Sequence, residues 1–450
     1  MEARWTVGTL EPARRAELRG WALLALGSLA IAGALALVLG LSRTPRIGDL
    51  FPSGQHFFYR ALVTHVVLSF EVWYLAALGA LTALAAPPSA PSWLGRAALG
   101  LGTLGVLLLL VPALTDQGEP SLNNYVPVVQ HPLFYAGLAV HAAGVALACL
   151  RLVPLARADV PVAVWGIVCT ALAYLMACFC FFIAWVVIPA GTEAALYNER
   201  LFWGGGHVLQ VVNTAMVMVS WQVLAEREYG RGPLPPVLAR AAFTALALFA
   251  VAAPVIYLRT DVLGLDHRMA FTDLLWLGLP LPAAAMGLGV AARLWSGRRD
   301  WRSPAFLAML LSLALFAVGG VFGFFLGVAD TRTPSHYHAV IGGVQLGLMG
   351  VFLVVLLPAL GRSIGSGRAV RWQFHLYGWG QLVHALGFFL AGAAGVPRKT
   401  AGVAQHLDSA WKKAAMGVVG TGTGLAVLGG AIFVYMVLAR LLKRPEASDA

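Results

Sequence analysis

The sequence predicts an all-α, polytopic membrane protein, a bundle of about twelve transmembrane helices. Two observations lead to this fold class. Hydrophobic residues make up 59% of the 450 positions and charged residues only 11%, which leaves too few polar side chains to cover a water-facing surface. The apolar residues also occur in runs of about twenty, the length that an α-helix needs to cross roughly 30 Å of hydrocarbon. The composition excludes an ordinary soluble enzyme.

The predicted spans follow one another along the whole chain. They lie near residues 18–42, 57–86, 93–115, 127–154, 161–189, 199–225, 235–259, 268–295, 303–328, 336–361, 371–397 and 414–442. We predict a single membrane domain over residues 1–450, with a short leader at 1–17 and a tail at 443–450. The leader is charged and lacks a small-residue cleavage pattern, so we expect it to be retained.

Basic residues predict the orientation of the bundle. On one side lie Arg14, Arg15, Arg19, Arg151, Arg157, Arg227, Arg231, Arg298, Arg299, Arg302, Arg362, Arg368, Arg440, Lys443 and Arg444. By the positive-inside rule this side, with both termini, is cytoplasmic. Arg398, Lys399, Lys412 and Lys413 are an exception on the outer side and need another explanation. The net charge of +11 reflects topology, so we predict no nucleic-acid partner.

Five histidines on four helices fall at one depth, in the outer half of the membrane. His65 and His207 lie in the second and sixth spans, His267 precedes the eighth, and His336 and His338 begin the tenth. An imidazole in lipid is costly unless it binds something, so these residues are candidate ligands. Successive helical positions turn by about 100°, so His336 and His338 project to nearly opposite faces. The tenth helix can therefore ligate two separate metals.

Four segments resemble the catalytic subunit of the haem–copper oxidase superfamily, in order and in sidedness. They are Tyr59-Arg60 with His65, Leu201-Phe-Trp-Gly-Gly-Gly-His207, Asp330-Thr331 with His336 and His338, and Gly395-Val-Pro-Arg-Lys399. The resemblance extends over essentially the whole chain and implies an oxidoreductase with two haems, of b type, and one non-haem metal. It also implies a location in the cytoplasmic (inner) membrane of a bacterium or archaeon.

The same resemblance implies a role for each matching residue. His65 and His338 would be the axial ligands of a low-spin haem, which is saturated and only passes electrons. His336 would hold a high-spin haem that faces a metal bound by His207 and His267. Arg398 and Lys399 would meet haem propionates, which would explain the exceptional outer charges.

The sequence departs from the oxygen-reducing pattern at two places. Where those members carry a His-His pair, this chain has Asp266-His267, and where many carry a tyrosine four residues after His207, it has Val211. If Asp266 ligates, the set of two histidines and one carboxylate suits non-haem iron better than copper. The other interpretation is that Asp266 pairs with Arg268 or Arg259. Tyr257 is the nearest candidate to replace the missing tyrosine, although packing is its simpler role.

These departures favour a divergent nitric oxide reductase that converts two NO to N2O and water, with His207, Asp266, His267 and His336 as its catalytic residues. The standard reductase glutamate is also missing at Val211, so Asp266 would replace it. The alternative is an oxygen-reducing cytochrome c or quinol oxidase with an atypical copper site. A haem carrier or assembly factor, and an unrelated transporter, are weaker alternatives, because the ligand set is complete.

Protons and electrons need routes into an apolar bundle. Four acids are candidates for a proton path: Glu71, Glu193, Glu199 and Asp273. Glu71 is deep in the second span, where it is either a relay or a carboxylic acid neutralised by burial. The other three predict uptake from outside and no pumping. The resemblance implies that electrons come from a cupredoxin-like or cytochrome c-type subunit on the outer face, and a quinol remains the other option.

Overall fold

The computed structural model describes residues 10–48, 55–157 and 159–443, and these ranges form a bundle of twelve long helices. The helices are α1 (Pro12–Arg43), α2 (Gln55–Ala85), α3 (Ser92–Leu114), α4 (Pro132–Leu150), α5 (Val162–Val187), α6 (Ala194–Tyr229), α7 (Pro236–Arg259), α8 (Leu265–Ser296), α9 (Pro304–Phe325), α10 (Arg332–Ala359), α11 (Arg368–Ala393) and α12 (Ala410–Leu442). The predicted fold class is confirmed. Residues 1–9 of the predicted leader, and Arg444 with the rest of the tail, lie outside the described residues.

Eleven of these helices are long and apolar enough to cross a membrane, among the residues that the structure describes. The exception is α11, which has the length of a span but is more polar, since it carries Arg368, Arg371, Gln373, His375 and Gln381. Its buried positions nevertheless include Phe374, His384 and Phe388, so it packs inside the bundle. Its polarity comes partly from side chains that face other helices.

Several helices change geometry along their length. Pro254 lies in a 3₁₀ turn within α7, and α8 is interrupted at Leu279–Pro280, because proline has no N–H and clashes with the preceding turn. Segments Val67–Val72 of α2 and Phe352–Leu356 of α10 are π-helical. A π segment widens the backbone hydrogen-bonding pattern and is often found at functional sites. Both π segments lie on the helices that carry predicted haem ligands.

Glycines allow the closest helix pairs to touch through their backbones. A Cβ placed on Gly105 of α3 would lie 2.3 Å from the backbone nitrogen of His141 on α4. A Cβ on Gly422 of α12 would lie 2.3 Å from the backbone nitrogen of His384 on α11. Within lipid the hydrophobic effect does not drive helices together. Small residues at such crossings instead stabilise the helix pairs, because they allow close packing.

The loop between α3 and α4 folds over one end of the bundle. It contains a short antiparallel pair, β1 (Glu119–Ser121) and β2 (Val128–Gln130). Residues 122–127 connect the strands and reach the central cavity, where Tyr125 adopts a positive φ of 65°. At the same end, the start of α10 is tied to the segment after α11, because Arg398 N donates to Ala329 O at 3.0 Å. This end of the molecule carries the candidate site.

Candidate haem and metal centre

A cavity of about 1740 Å³ runs through the middle of the bundle. Its wall includes five histidines: His65, His207, His336, His338 and His384. Pockets for ordinary small molecules measure about 300–1,000 Å³, so this cavity is larger than a site for one such molecule. Its size and its mostly apolar wall are suited to more than one large, flat, apolar cofactor.

His65 and His338 face this cavity from α2 and α10. The Nδ1 atom of His65 lies 2.9 Å from the carbonyl oxygen of Ala32. Because a carbonyl only accepts, Nδ1 donates and Nε2 keeps a lone pair for a metal. The His338 ring packs against His384, with 4.6 Å between ring centroids, and against Phe388. The pair fits the low-spin haem ligands that the sequence predicts.

Two side-chain hydrogen bonds join the helices that carry this pair. Tyr74 Oη of α2 donates to Ile341 O of α10 at 2.9 Å, and Gln345 Nε2 of α10 donates to Ser69 O at 3.3 Å. Ser69 lies inside the π segment of α2. These bonds fix α2 against α10 just below the two histidines.

His336 is held in the same way on the other side of α10. Its Nδ1 donates to Gly319 O of α9 at 2.7 Å, and the ring lines the cavity. This bond leaves Nε2 as the ligating atom. His336 could therefore hold a haem through Nε2, and its assignment to a high-spin haem stays a prediction.

His207 and His267 are the two histidines that the sequence analysis assigned to the non-haem metal. His207 Nδ1 donates to Trp203 O at 2.7 Å, and His267 Nδ1 donates to Thr260 Oγ1 at 2.9 Å. Both rings contact Phe271, with centroid distances of 5.8 and 5.0 Å. His267 Nε2 is buried without a hydrogen-bond partner among the described residues. A buried lone pair with no donor is costly in free energy, so it fits a metal ligand.

Two tyrosines contact these imidazoles, and the sequence pattern identified only one of them. Tyr125 Oη lies 2.9 Å from His207 Nε2 and donates to it. The Tyr257 ring contacts the His267 ring edge to face at 4.7 Å, and its hydroxyl is buried without a partner among the described residues. Tyr125 was missed because it lies in a loop, far from the other residues in sequence and without a motif.

Asp266 is not brought to these two histidines. Its side chain is exposed, it does not line the cavity, and within the described ranges it makes no hydrogen bond or ion pair, so it does not pair with Arg268 or Arg259 either. Its neighbour His267 is fully buried. Consecutive positions of α8 differ by about 100°, so the inward turn of His267 directs Asp266 outward. The structure therefore does not bring Asp266 together with His207 and His267, and its ligation of a metal stays a prediction.

The family model for cytochrome c and quinol oxidase polypeptide I matches residues 18–435. The chain belongs to this family. It is 26% identical over 402 residues to cytochrome c oxidase subunit 1 of Thermus thermophilus, over 77% of this chain and 69% of that protein. An uncharacterised protein of Aquifex aeolicus is 30% identical over 346 residues, over 75% of this chain and 83% of its own length. A cryo-EM structure of a heme-copper terminal oxidase dimer gives a TM-score of 0.72 at 15% identity, over 98% of this chain and 86% of that chain, which supports the fold.

This membership makes the chain an oxidoreductase subunit of the haem–copper type. The donor atoms fit the cofactors of such a subunit, because His65 and His336 each present an Nε2 to the cavity and His267 Nε2 has no other partner. Within the described residues, no set of three or more His, Cys, Asp or Glu side chains is arranged to hold a metal.

Cationic groups lie along one part of the cavity wall. Arg398 and Lys399, which the sequence analysis assigned to haem propionates, both line the cavity. Burial, together with the neighbouring Arg398, lowers the pKa of the Lys399 ammonium to about 8, and its Nζ donates to Leu122 O. Arg43, at the end of α1, also lines the cavity and lies over the Phe58 ring at 4.9 Å. Sequence reasoning missed Arg43, since it is one of several arginines near span ends.

The four acids predicted as a proton path do not form one continuous route. Glu193 is exposed and caps α6 by accepting from Ala195 N and Leu196 N, which lowers the pKa of its carboxyl. Asp273 is exposed. Glu199 accepts from Asn124 N at 2.9 Å and from Asn124 Nδ2 at 2.7 Å.

Glu71 lies in the π segment of α2, buried, with Oε1 unpaired among the described residues. It does not line the cavity, whereas Gln210, Asn213 and Thr214 do so below His207.

Proposed function

We propose that this chain is the catalytic subunit of a membrane-bound nitric oxide reductase, in which two NO, two protons and two electrons give N2O and water. One observation carries the proposal. The non-haem position offers two imidazoles, His207 and His267, together with a phenol oxygen from Tyr125, instead of three imidazoles. A set of two imidazoles and one hard oxygen donor with open positions suits non-haem iron.

We assign a different role in this reaction to each group of residues. His65 and His338 would hold a low-spin haem, which with two imidazole ligands would only transfer electrons. His336 on the opposite face of α10 would hold the second haem, at which the chemistry would take place. When bound, the haem iron and the non-haem metal would hold two NO molecules side by side and act as Lewis acids while the N–N bond forms.

The chain must also deliver protons to this pocket. Gln210, Asn213 and Thr214 continue the line of His207 along α6 and face the cavity. Positions three and four apart share one face of a helix, so these polar side chains form a row in an otherwise apolar wall. We assign the proton supply to this row in place of Glu193 and Asp273. Glu71 does not line the cavity and is left out of this route.

Electrons would enter from a separate donor at the end of the molecule that carries the site. The exposed carboxylates Asp116 and Glu119 surround His56 there, at 3.4 and 3.3 Å. An acidic rim accelerates docking of a basic partner. A cytochrome c-type or cupredoxin-like subunit with a basic face is the donor that we propose.

An oxygen-reducing oxidase is the second candidate, favoured by Tyr257. Its hydroxyl is buried beside the helical turn that precedes His207. A Cβ placed on Gly204 in that turn would lie 2.2 Å from Tyr257 Oη. A phenol at this place can supply an electron and a proton for cleavage of O2. The Thermus thermophilus relative is named as an oxidase subunit, which points to the same candidate.

Metal content and product analysis separate the two candidates. We expect the purified protein to contain two haems and one non-haem iron, and to form N2O from NO without oxygen when a reduced donor is present. Copper in place of the non-haem iron, with O2 consumption and no N2O, would instead establish the oxidase.

A further inference from the structure

We propose that Tyr125 supplies the third ligand of the non-haem metal through its hydroxyl oxygen, the place that the sequence assigned to Asp266. The inference rests on the proposed metal centre at His207 and His267, but not on whether the substrate is NO or O2. It starts from one contact. Tyr125 Oη lies 2.9 Å from Nε2 of His207, the atom of that imidazole that is left to bind a metal.

The spacing of these two atoms is that of neighbouring ligands. A metal binds imidazole nitrogen and oxygen at about 2.0–2.1 Å, so two adjacent donors of one ion stand roughly 3 Å apart. Tyr125 Oη and His207 Nε2 already have this separation. An ion can therefore bind between them after small movements. In its absence, the phenol proton forms the hydrogen bond to His207.

The backbone around His207 is shaped to receive this tyrosine. A Cβ on Gly206 would lie 2.4 Å from Cβ of Tyr125, so any larger residue before His207 would push the loop away. The Tyr125 ring also packs edge to face on Trp203, with 5.5 Å between centroids. Trp203 and Gly206 of the sixth-helix motif thus contact Tyr125 of the loop, next to His207 of the same motif.

Tyr125 is held in a conformation that a tyrosine rarely adopts. Its φ is +65°, in the left-handed region, where a bulky side chain is an outlier. Such strain persists only when surrounding contacts impose it, and it concentrates at functional sites. The neighbouring Asn124 supplies these contacts, because its N and Nδ2 both donate to the Glu199 carboxylate at 2.9 and 2.7 Å. Glu199 is therefore a positioning residue for Tyr125.

The chemistry of the donor matches the rest of the set. When the metal binds, the phenol O–H breaks, the oxygen bonds to the metal as phenolate, and the proton leaves to solvent, as in any ligation by an acidic group. The result is two imidazoles and one anionic oxygen. This is the donor type that favours iron, and it leaves coordination positions open for substrate.

The test uses the purified, metal-loaded protein in its oxidised state, with resonance Raman spectroscopy of the non-haem metal. A phenolate bound to Fe(III) or Cu(II) gives tyrosine ring vibrations on excitation of its charge-transfer transition, and these shift when the protein contains ring-deuterated tyrosine. We expect the shifted bands in the wild type and in Tyr257→Phe, the matched control for a buried tyrosine in the same pocket. We expect Tyr125→Phe to lose them and to bind the metal at least about tenfold more weakly.

The outcomes distinguish failure of this inference from failure of the proposed function. Tyrosine bands with copper as the metal would keep Tyr125 as ligand and remove the reductase assignment. A loaded wild type without isotope-sensitive tyrosine bands would overturn the ligation, and this measurement does not depend on any variant folding. Unchanged bands in Tyr125→Phe would also overturn it. Glu199→Gln should keep the tyrosine bands but shift their frequencies. The neutral amide binds Asn124 more weakly than the carboxylate does, so the neighbouring Tyr125 is positioned less firmly but is still present.

Discussion

The two halves of the site are built differently. The half that we assign to the low-spin haem places His65 and His338 within long helices, and hydrogen bonds from Tyr74 and Gln345 fix those helices against each other. The half that we assign to the non-haem metal takes His207 from a helix and His267 from the first turn of α8, and the loop residue Tyr125 contacts His207. Electron transfer requires only that a saturated iron stays fixed. A reacting metal needs open positions and donors of mixed type, which a loop can add.

The largest expected effects come from replacing one candidate histidine ligand in each half of the site. His338→Ala should lose the low-spin haem and keep the non-haem metal, whereas His267→Ala should lose the non-haem metal and keep both haems. Each should lower turnover by more than about 100-fold, since even outer partners of metal ligands cost 10–100-fold. Haem spectra and metal analysis of the same samples measure both losses.

Asp266→Ala is the control for His267→Ala, since the two residues are adjacent and only one is buried. We expect it to change metal content and turnover by less than about twofold, because an exposed residue without a partner contributes little. A loss of the non-haem metal in Asp266→Ala would show that α8 rotates when the metal binds.

An intermediate effect is expected from the bonds between α2 and α10. Tyr74→Phe removes the donor to Ile341 O, and Gln345→Leu removes the donor to Ser69 O. Each bond within a membrane is worth about 0.6 kcal/mol, so both variants should fold and bind haem. A shift in the low-spin haem reduction potential and electron paramagnetic resonance signal, with the non-haem metal unchanged, would support a positioning role. The same shift in a variant of the exposed Thr421 would point to a general loosening of the bundle.

The smallest effect concerns pH and the entry to α10. The Arg332 guanidinium, 2.8 Å from the Asp330 carboxylate, holds the pKa of that carboxyl below its usual range. A depressed carboxyl pKa adds stability above the unfolded value of about 3.9, and the gain is lost as the pH falls through the folded pKa. The pair is partly exposed, so solvent screens it and the gain is small. Asp330→Asn should therefore flatten the acid limb of thermal stability, and an unchanged limb would contradict this assignment.

The amino-acid sequence by itself determined the membrane class, the succession of spans and the five histidines of the site. These follow from local patterns: apolar runs set the spans, and the motifs that end in His207 or contain His336 and His338 lie within single helices. A helix fixes the relative direction of its own side chains, so residues close in sequence can be placed without a structure.

Only the tertiary structure decided which oxygen-bearing side chain contacts the candidate histidines. Asp266 and Glu193 are close in sequence to candidate ligands, but Asp266 is exposed and Glu193 caps α6. Glu199 instead accepts hydrogen bonds from Asn124. Tyr125 is 82 residues from His207 in the chain, yet its hydroxyl touches the imidazole. The position of a loop depends on contacts with several helices and on a strained backbone that Asn124 stabilises. The periodicity of a sequence does not reveal such contacts, and this is why the sequence analysis identified the candidate histidines on the helices and missed the tyrosine that contacts His207 from the loop.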